Sequence, residues 1–127
     1  MNVVDSSGWL EFFGNGRNAA FFAQPLSVPD QLLVPSISMF EVFKRVLLQR
    51  DEASALQAAA LMQQGQIVAL DAALAISAAK LSAELKLPMA DSVILATARH
   101  FKATLWTQDA DFDGIPGVRY VMKAAAD

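Results

Sequence analysis

A chain of 127 residues has room for one hydrophobic core and its shell, which excludes a two-domain arrangement as the expectation. Its composition, 54% hydrophobic against 18% charged with a mean hydropathy of +0.34, is apolar for that length, so another chain is expected to cover part of the surface. The absence of cysteine excludes disulfides and thiolate metal sites, and a net charge of −3 does not exclude a nucleic-acid partner if acids hold divalent cations and leave a mildly basic remainder. No run approaches the roughly 20 apolar residues of a membrane span. The start of the chain has no basic segment leading into an apolar one, so a cytoplasmic protein is expected.

Asn2-Val3-Val4 reads as a strand that ends at Asp5, and Ser6 and Ser7 offer N-caps for a helix carrying Trp9, Leu10, Phe12 and Phe13. Gly14-Asn15-Gly16 breaks that helix, Ala19 to Ala23 suggests a second short one, and Pro25 to Pro29 reads as loop. Leu32-Leu33-Val34 is the second strand, interrupted by Pro35 and Ser36. Ser38-Met39-Phe40-Glu41 has the spacing of a capping box and predicts a helix to about Arg50. A further helix is expected from Asp51 to Gln64, with Gly65 as its stop. Gln66 to Leu70 fits a third strand, and Asp71 caps an Ala-rich helix to about Leu85. Pro88 opens a helix from Met89 to Phe101. Ala103 to Thr107 is the fourth strand, followed by the acidic loop Gln108 to Gly114, a last strand from about Val118 to Met122 and a short Ala-rich tail. The strand runs are continuous and apolar, as when helices cover both faces of a parallel sheet. The expected class is α/β, in three layers around a mainly parallel sheet.

In such a sheet the ligand site lies outside the carboxyl ends of the strands, and that edge is where five acids fall. Asp5 ends the first strand, Glu41 follows the second, Asp91 lies in the first turn after Pro88, and Asp109 and Asp111 follow the fourth strand. Each has a structural explanation of its own: Asp5 as an N-cap, Glu41 in a capping box or paired with Lys44 or Arg45, Asp91 favoured by the helix dipole, the last two as turn residues. Separate structural roles do not predict their convergence on one edge. Helical projection places Ser38, Glu41, Lys44, Arg45 and Gln49 in one sector, so Glu41 faces a polar space. Hard carboxylates without His or Cys suit Mg²⁺ or Mn²⁺ rather than zinc. Lys44, Arg45 and Arg99, with Lys80, Lys86 and Lys102, are candidates to hold phosphates. His100, the only histidine, reads as decoration of a helix C-terminus.

The segments VVDSSGW, SMFEVFKRVL, LPMADSVILATA and LWTQDADF, in this order and spacing, resemble four segments of PIN domains, specifically the VapC-type toxin ribonucleases. The resemblance spans nearly the whole chain and implies a single PIN-like domain over 1–127. It implies Asp5, Glu41, Asp91 and Asp109 as catalytic, metal-binding residues for Mg²⁺ or Mn²⁺, with Asp111 as an auxiliary acid and Ser6 and Thr107 in support. The implied activity is endoribonuclease, hydrolysing RNA by metal-activated water to leave a 5′-phosphate and a 3′-hydroxyl. It further implies a homodimer and a cognate antitoxin whose C-terminal segment crosses the active-site groove. Surplus apolar residues such as Phe12, Phe13, Phe21, Phe22, Phe40, Phe43 and Leu47 fit that, about a third of them being expected at interfaces.

Three other readings compete. Asp109 to Gly114 matches the first half of an EF-hand loop, but Tyr120 stands where the bidentate Glu belongs and Pro116 intrudes. A receiver-type Mg²⁺-binding signalling domain would make Asp71 the phosphoacceptor, yet Asp5 is followed by Ser6 rather than a second acid, and Lys123 has no following Pro. A catalytically idle PIN-fold module for RNA binding or interaction sits poorly with an intact quartet.

Overall fold

The computed structural model describes residues 1–124; the end of the Ala-rich tail, residues 125–127, lies outside the described residues. The described residues form β1 (Asn2–Val4), α1 (Ser6–Phe13), α2 (Ala19–Leu26), β2 (Leu32–Pro35), α3 (Ser36–Gln49), α4 (Glu52–Met62), β3 (Gln66–Val68), α5 (Ala72–Leu85), α6 (Met89–His100), β4 (Thr104–Thr107) and β5 (Val118–Tyr120). Single 3₁₀ turns at Pro29–Gln31 and Ala110–Phe112 precede β2 and follow β4. The strands pair in the order β3-β2-β1-β4-β5, and every pairing is parallel. The expected α/β class therefore holds, with a sheet that is wholly parallel. The order also rules out the receiver reading, whose doubly wound sheet runs 2-1-3-4-5.

Alternation along the strands builds the two faces. Val4, Leu32, Val34 and Trp106 turn toward Trp9, Phe22, Val42, Ala58 and Met62, so α1 to α4 cover one side. Val3, Leu33 and Leu105 turn the other way onto Ile94, Leu95 and Ala98 of α6. Leu74 and Ala78 of α5 then close over Val93 and Ala96. Each large side chain buried here stabilises the fold by roughly 1.5–3 kcal/mol. α6 is buried from Ser92 to Ala98, and so it lacks a polar face over that stretch.

Four local expectations are corrected. Asp5 takes the N-cap role read for it, in place of Ser6 or Ser7, its Oδ1 accepting the Gly8 N–H at 3.0 Å. α2 continues through Pro25 to Leu26. The proline withholds the N–H due to the Phe21 carbonyl, and the Gln24 side-chain amide donates there instead at 3.3 Å. α3 begins at Ser36 with no side-chain cap, because Pro35, held at φ −60°, suits both the end of β2 and direct entry to a helix. Ser38 is thus in the third helical position, its Oγ buried without a partner, and the expected capping box with Glu41 does not form. β3 stops at Val68, short and exposed at the sheet edge, where a strand to Leu70 was expected. Asp71 caps α5 as expected, accepting from the Leu74 N–H, and Asp51, expected as the first residue of α4, is its cap instead, accepting from the Ser54 N–H. No helix of the described residues is long and apolar enough to cross a membrane.

Candidate functional site

The strand order reverses direction between β1 and β4, and the carboxyl ends of those two neighbours flank the crevice that such a reversal opens. Asp5 directly follows β1, and Asp109 follows β4. α3 returns over the same edge carrying Glu41, and the first turn of α6 brings Asp91. A cleft of about 580 Å³ is lined by Asp5, Ser6, Ser7, Glu41, Lys44, Arg45, Asp91 and Asp109, with Leu10, Phe40 and Leu48 at its apolar margin.

Asp5 is buried and tightly held. Its oxygens accept from Ser7 Oγ at 2.8 and 3.0 Å, from the Gly8 N–H, and from Thr107 Oγ1 at 2.7 Å. The Asp109 N–H in turn donates to Thr107 Oγ1 at 2.9 Å, so one hydroxyl links the ends of β1 and β4. Burial pushes the Asp5 carboxyl up to about 6, against the lowering effect of these hydrogen bonds. Ser6 Oγ donates to Glu41 Oε1 at 2.6 Å, tying α1 to α3 across the cleft. Ser6 and Thr107, expected in support, therefore touch Glu41 and Asp5 respectively.

Asp91 is the centre of the group. Its carboxyl is pushed up to about 7, first by partial burial and then by the negative charges of Asp109, Asp5, Asp111 and Glu41. The five acids expected on one edge thus act on one another electrostatically. Among the described residues, Asp91, Asp109 and Asp111 can each offer an oxygen within 4.8 Å of the others. Asp111, expected as an auxiliary, stands in this tightest group, while Asp5 and Glu41 lie outside it. An all-carboxylate donor set in which Asp91 is pushed up by the charges of its neighbours fits a hard divalent cation, which would relieve that opposition.

Lys44 and Arg45 line the cleft, but Arg99 does not. It sits in the last turn of α6 while Asp91 sits in the first, about 12 Å apart at the helical rise. His100 is in that last turn too, exposed and edge-on to the Phe101 ring. In the acidic loop Asp109 accepts from the Asp111 N–H, a 3₁₀ turn follows, and Tyr120 belongs to β5, so no EF-hand forms. Two residues escaped the sequence reading. Ser7, two residues after Asp5, carried the local signal of a hydroxyl able to bond back to a nearby carboxylate. Gln108 carried none.

The profile of a family described as PIN domain matches residues 3–118. A comparison with curated protein sequences finds no match. Among solved structures, the chain is similar to a toxin–antitoxin complex from Klebsiella pneumoniae, at 27% identity and TM-score 0.79 over 94% of this chain and 96% of that one. It is similar in fold to VapC20 of Mycobacterium tuberculosis, a sarcin-ricin loop cleaving toxin, at 15% identity and TM-score 0.77 over 91% and 95% of the two chains. It also shares its fold with DNA-bound VapBC from Salmonella typhimurium, at 16% identity and TM-score 0.73 over 95% and 96%.

Proposed function

This chain belongs to the PIN-domain family, and on that footing we propose that it is a Mg²⁺- or Mn²⁺-dependent endoribonuclease, the toxin of a toxin–antitoxin pair. The observation that carries the reading is the position of Asp91, whose carboxyl feels four other acids, brought by the end of β1, by α3 and by the loop after β4 to the sheet's switch point. The toxin–antitoxin complex to which the chain is similar over nearly its full length supports the second half of the proposal.

Asp5, Glu41, Asp91 and Asp109 would hold the cation in this proposal, joined by Asp111, whose carboxylate comes within reach of those of Asp91 and Asp109. When bound, the cation supplies Lewis acidity toward phosphoryl oxygen and a lowered pKa for a water it holds. The chain's own groups set the stage for this. Thr107 and Ser7 fix the Asp5 carboxylate, and Ser6 fixes that of Glu41. Lys44 and Arg45, on the same cleft, hold the substrate's phosphates. Cleavage leaves a 5′-phosphate and a 3′-hydroxyl.

The protein is cytoplasmic in this proposal, dimerises with a second copy and is restrained by a cognate antitoxin. Phe40 and Leu47, exposed at 65% and 42%, support an interface on α3. They line an apolar groove with Met39 and Phe43 that shares Phe40 and Lys44 with the acidic cleft, so a segment lying there would obstruct substrate.

The test is end-mapped RNA cleavage with Mg²⁺ or Mn²⁺, comparing the wild type with Asp5→Asn and Asp91→Asn. Each variant is expected to lose activity by about 100-fold or more. Equal cleavage by all three overturns the assignment.

A further inference from the structure

A second pocket, of about 340 Å³, opens beside the acids and is lined by Ser7, Gln108, Asp109, Tyr120, Met122 and Lys123 together with Ala110. It shares Ser7 and Asp109 with the acidic cleft, so the two spaces adjoin at those residues. Gln108 is only 5% exposed, yet its amide is not closed upon the protein. Asn18 Nδ2 donates both to the Met122 carbonyl at 3.1 Å and to Gln108 Oε1 at 2.9 Å. A main-chain carbonyl can only accept, so Asn18 must present its NH₂ on that side, and Gln108 must answer with its oxygen. The Gln108 NH₂ is thereby turned away from Asn18, and it has no partner among the described residues. That NH₂ is not among the fully buried atoms that lack a partner, so water can serve it until an acceptor that enters the pocket takes the water's place.

We propose that this pocket receives the base of an unpaired ribonucleotide next to the cleavage site, and that Gln108 reads a carbonyl oxygen on that base. The proposal rests on the ribonuclease reading above. Tyr120 supplies a ring face for stacking, and Lys123 supplies positive charge for an adjoining phosphate. A lone donor can also reach adenine's ring nitrogens, so the reading is made at the exocyclic group on C4 or C6: uracil and guanine place an oxygen there that accepts from the NH₂, whereas adenine and cytosine place an amino group that opposes it. Double-stranded RNA is excluded by the same geometry, since a paired and stacked base cannot enter.

The test measures fluorescence anisotropy of labelled oligouridylate and oligoadenylate of about eight nucleotides in EDTA, where nothing is cleaved. Cleavage sites are then mapped on a mixed-sequence RNA with Mn²⁺. The wild type is expected to bind oligouridylate about tenfold more tightly, the worth of one hydrogen bond. Gln108→Leu levels that preference and relaxes the cleavage-site distribution. Tyr120→Ala weakens both oligonucleotides by about tenfold, and Tyr120→Phe restores them. Should Gln108→Leu not fold, Asn18→Asp serves: its carboxylate accepts from Gln108, turns Oε1 into the pocket, and reverses the preference toward adenine. Equal binding of the two oligonucleotides by the wild type, or a preference unchanged in Gln108→Leu or Asn18→Asp, overturns the inference. Absence of cleavage by the wild type overturns the ribonuclease reading instead, while the binding preference is still measured.

Discussion

Asp91 carries a charge that its neighbours oppose, and the sign of the consequence follows from its raised pKa. The folded carboxyls of Asp5 and Asp91 titrate at about 6 and about 7, against 3.8 for an unperturbed Asp. The folded state therefore binds these protons more tightly than the unfolded chain does. The stabilisation is fully present below pH 3.8 and is lost as pH rises through 6 and 7. Asp91→Asn removes the opposition. In EDTA at pH 8 it is expected to stabilise the protein by about 1–2 kcal/mol, after discounting for the solvent that screens a half-exposed carboxyl. The gain in Tm should shrink toward pH 5, and a gain that does not depend on pH would count against electrostatic opposition. Ser38 offers a sharper contrast. As a capping residue its loss would cost about 1 kcal/mol. As a buried hydroxyl without a partner inside α3, its replacement by Ala should leave the stability unchanged or raise it by up to about 1 kcal/mol, read as an equal or higher Tm. At this scale the acids were legible because carboxylates at strand ends and in first turns have few interpretations. The partner of Glu41 was not, because Ser6 lies 35 residues away and only the packing of α1 against α3 brings them together.

Elements were legible where a local signal stood alone. Asp51 and Asp71 each announced a helix start, and Gly65 announced a stop. Boundaries failed where two signals competed. Pro25 was read as a break, yet one side-chain amide suffices to replace the missing N–H in a last turn. β3 was drawn too long because apolar residues at an exposed edge look like a buried run in one dimension. Gly8 shows a constraint that sequence alone does not reveal. A Cβ there would lie 2.5 Å from the Phe22 ring and 2.6 Å from Val4 Cγ1, so α1 approaches the sheet and α2 at a distance only glycine allows. Gly8→Ala should therefore destabilise the protein by about 1–3 kcal/mol in chemical denaturation. The intrinsic helix preference of alanine, about 1 kcal/mol in the other direction, does not offset it. A neutral or stabilising outcome would show that α1 can move away from β1 freely.

The whole molecule brings acids from residues 5, 41, 109 and 111 within electrostatic reach of Asp91, so binding of the proposed cation would be linked to folding. A cation at about 100 times its Kd should add about 2.7 kcal/mol of stability, read as a Tm that rises with Mg²⁺ or Mn²⁺ concentration. The rise should be larger at pH 8 than at pH 5.5, because protons compete for the same oxygens. Asp91→Asn should lose most of it. The three-layer plan was readable from apolar strand runs alternating with helices, and the chemistry of its edge from the acids alone. Strand order was not readable, since nothing in the residues of β1 states that its neighbours are β2 and β4 rather than β2 and β3.

That order has a consequence for biosynthesis. β1 is made first and occupies the middle of the sheet, but its second neighbour, β4, begins only at Thr104. A nascent chain that stops before Thr104 has a central strand with one bare side. It also lacks the hydroxyl of Thr107 that holds Asp5 and the two acids that meet Asp91. Fragments from translation stalled there would thus carry Asp5, Glu41 and Asp91 without the strand that assembles them. For a protein whose proposed action is on its own cell's RNA, placing the closing strand after the first three of these acids ties the onset of that action to the synthesis of β4 and the loop that follows it.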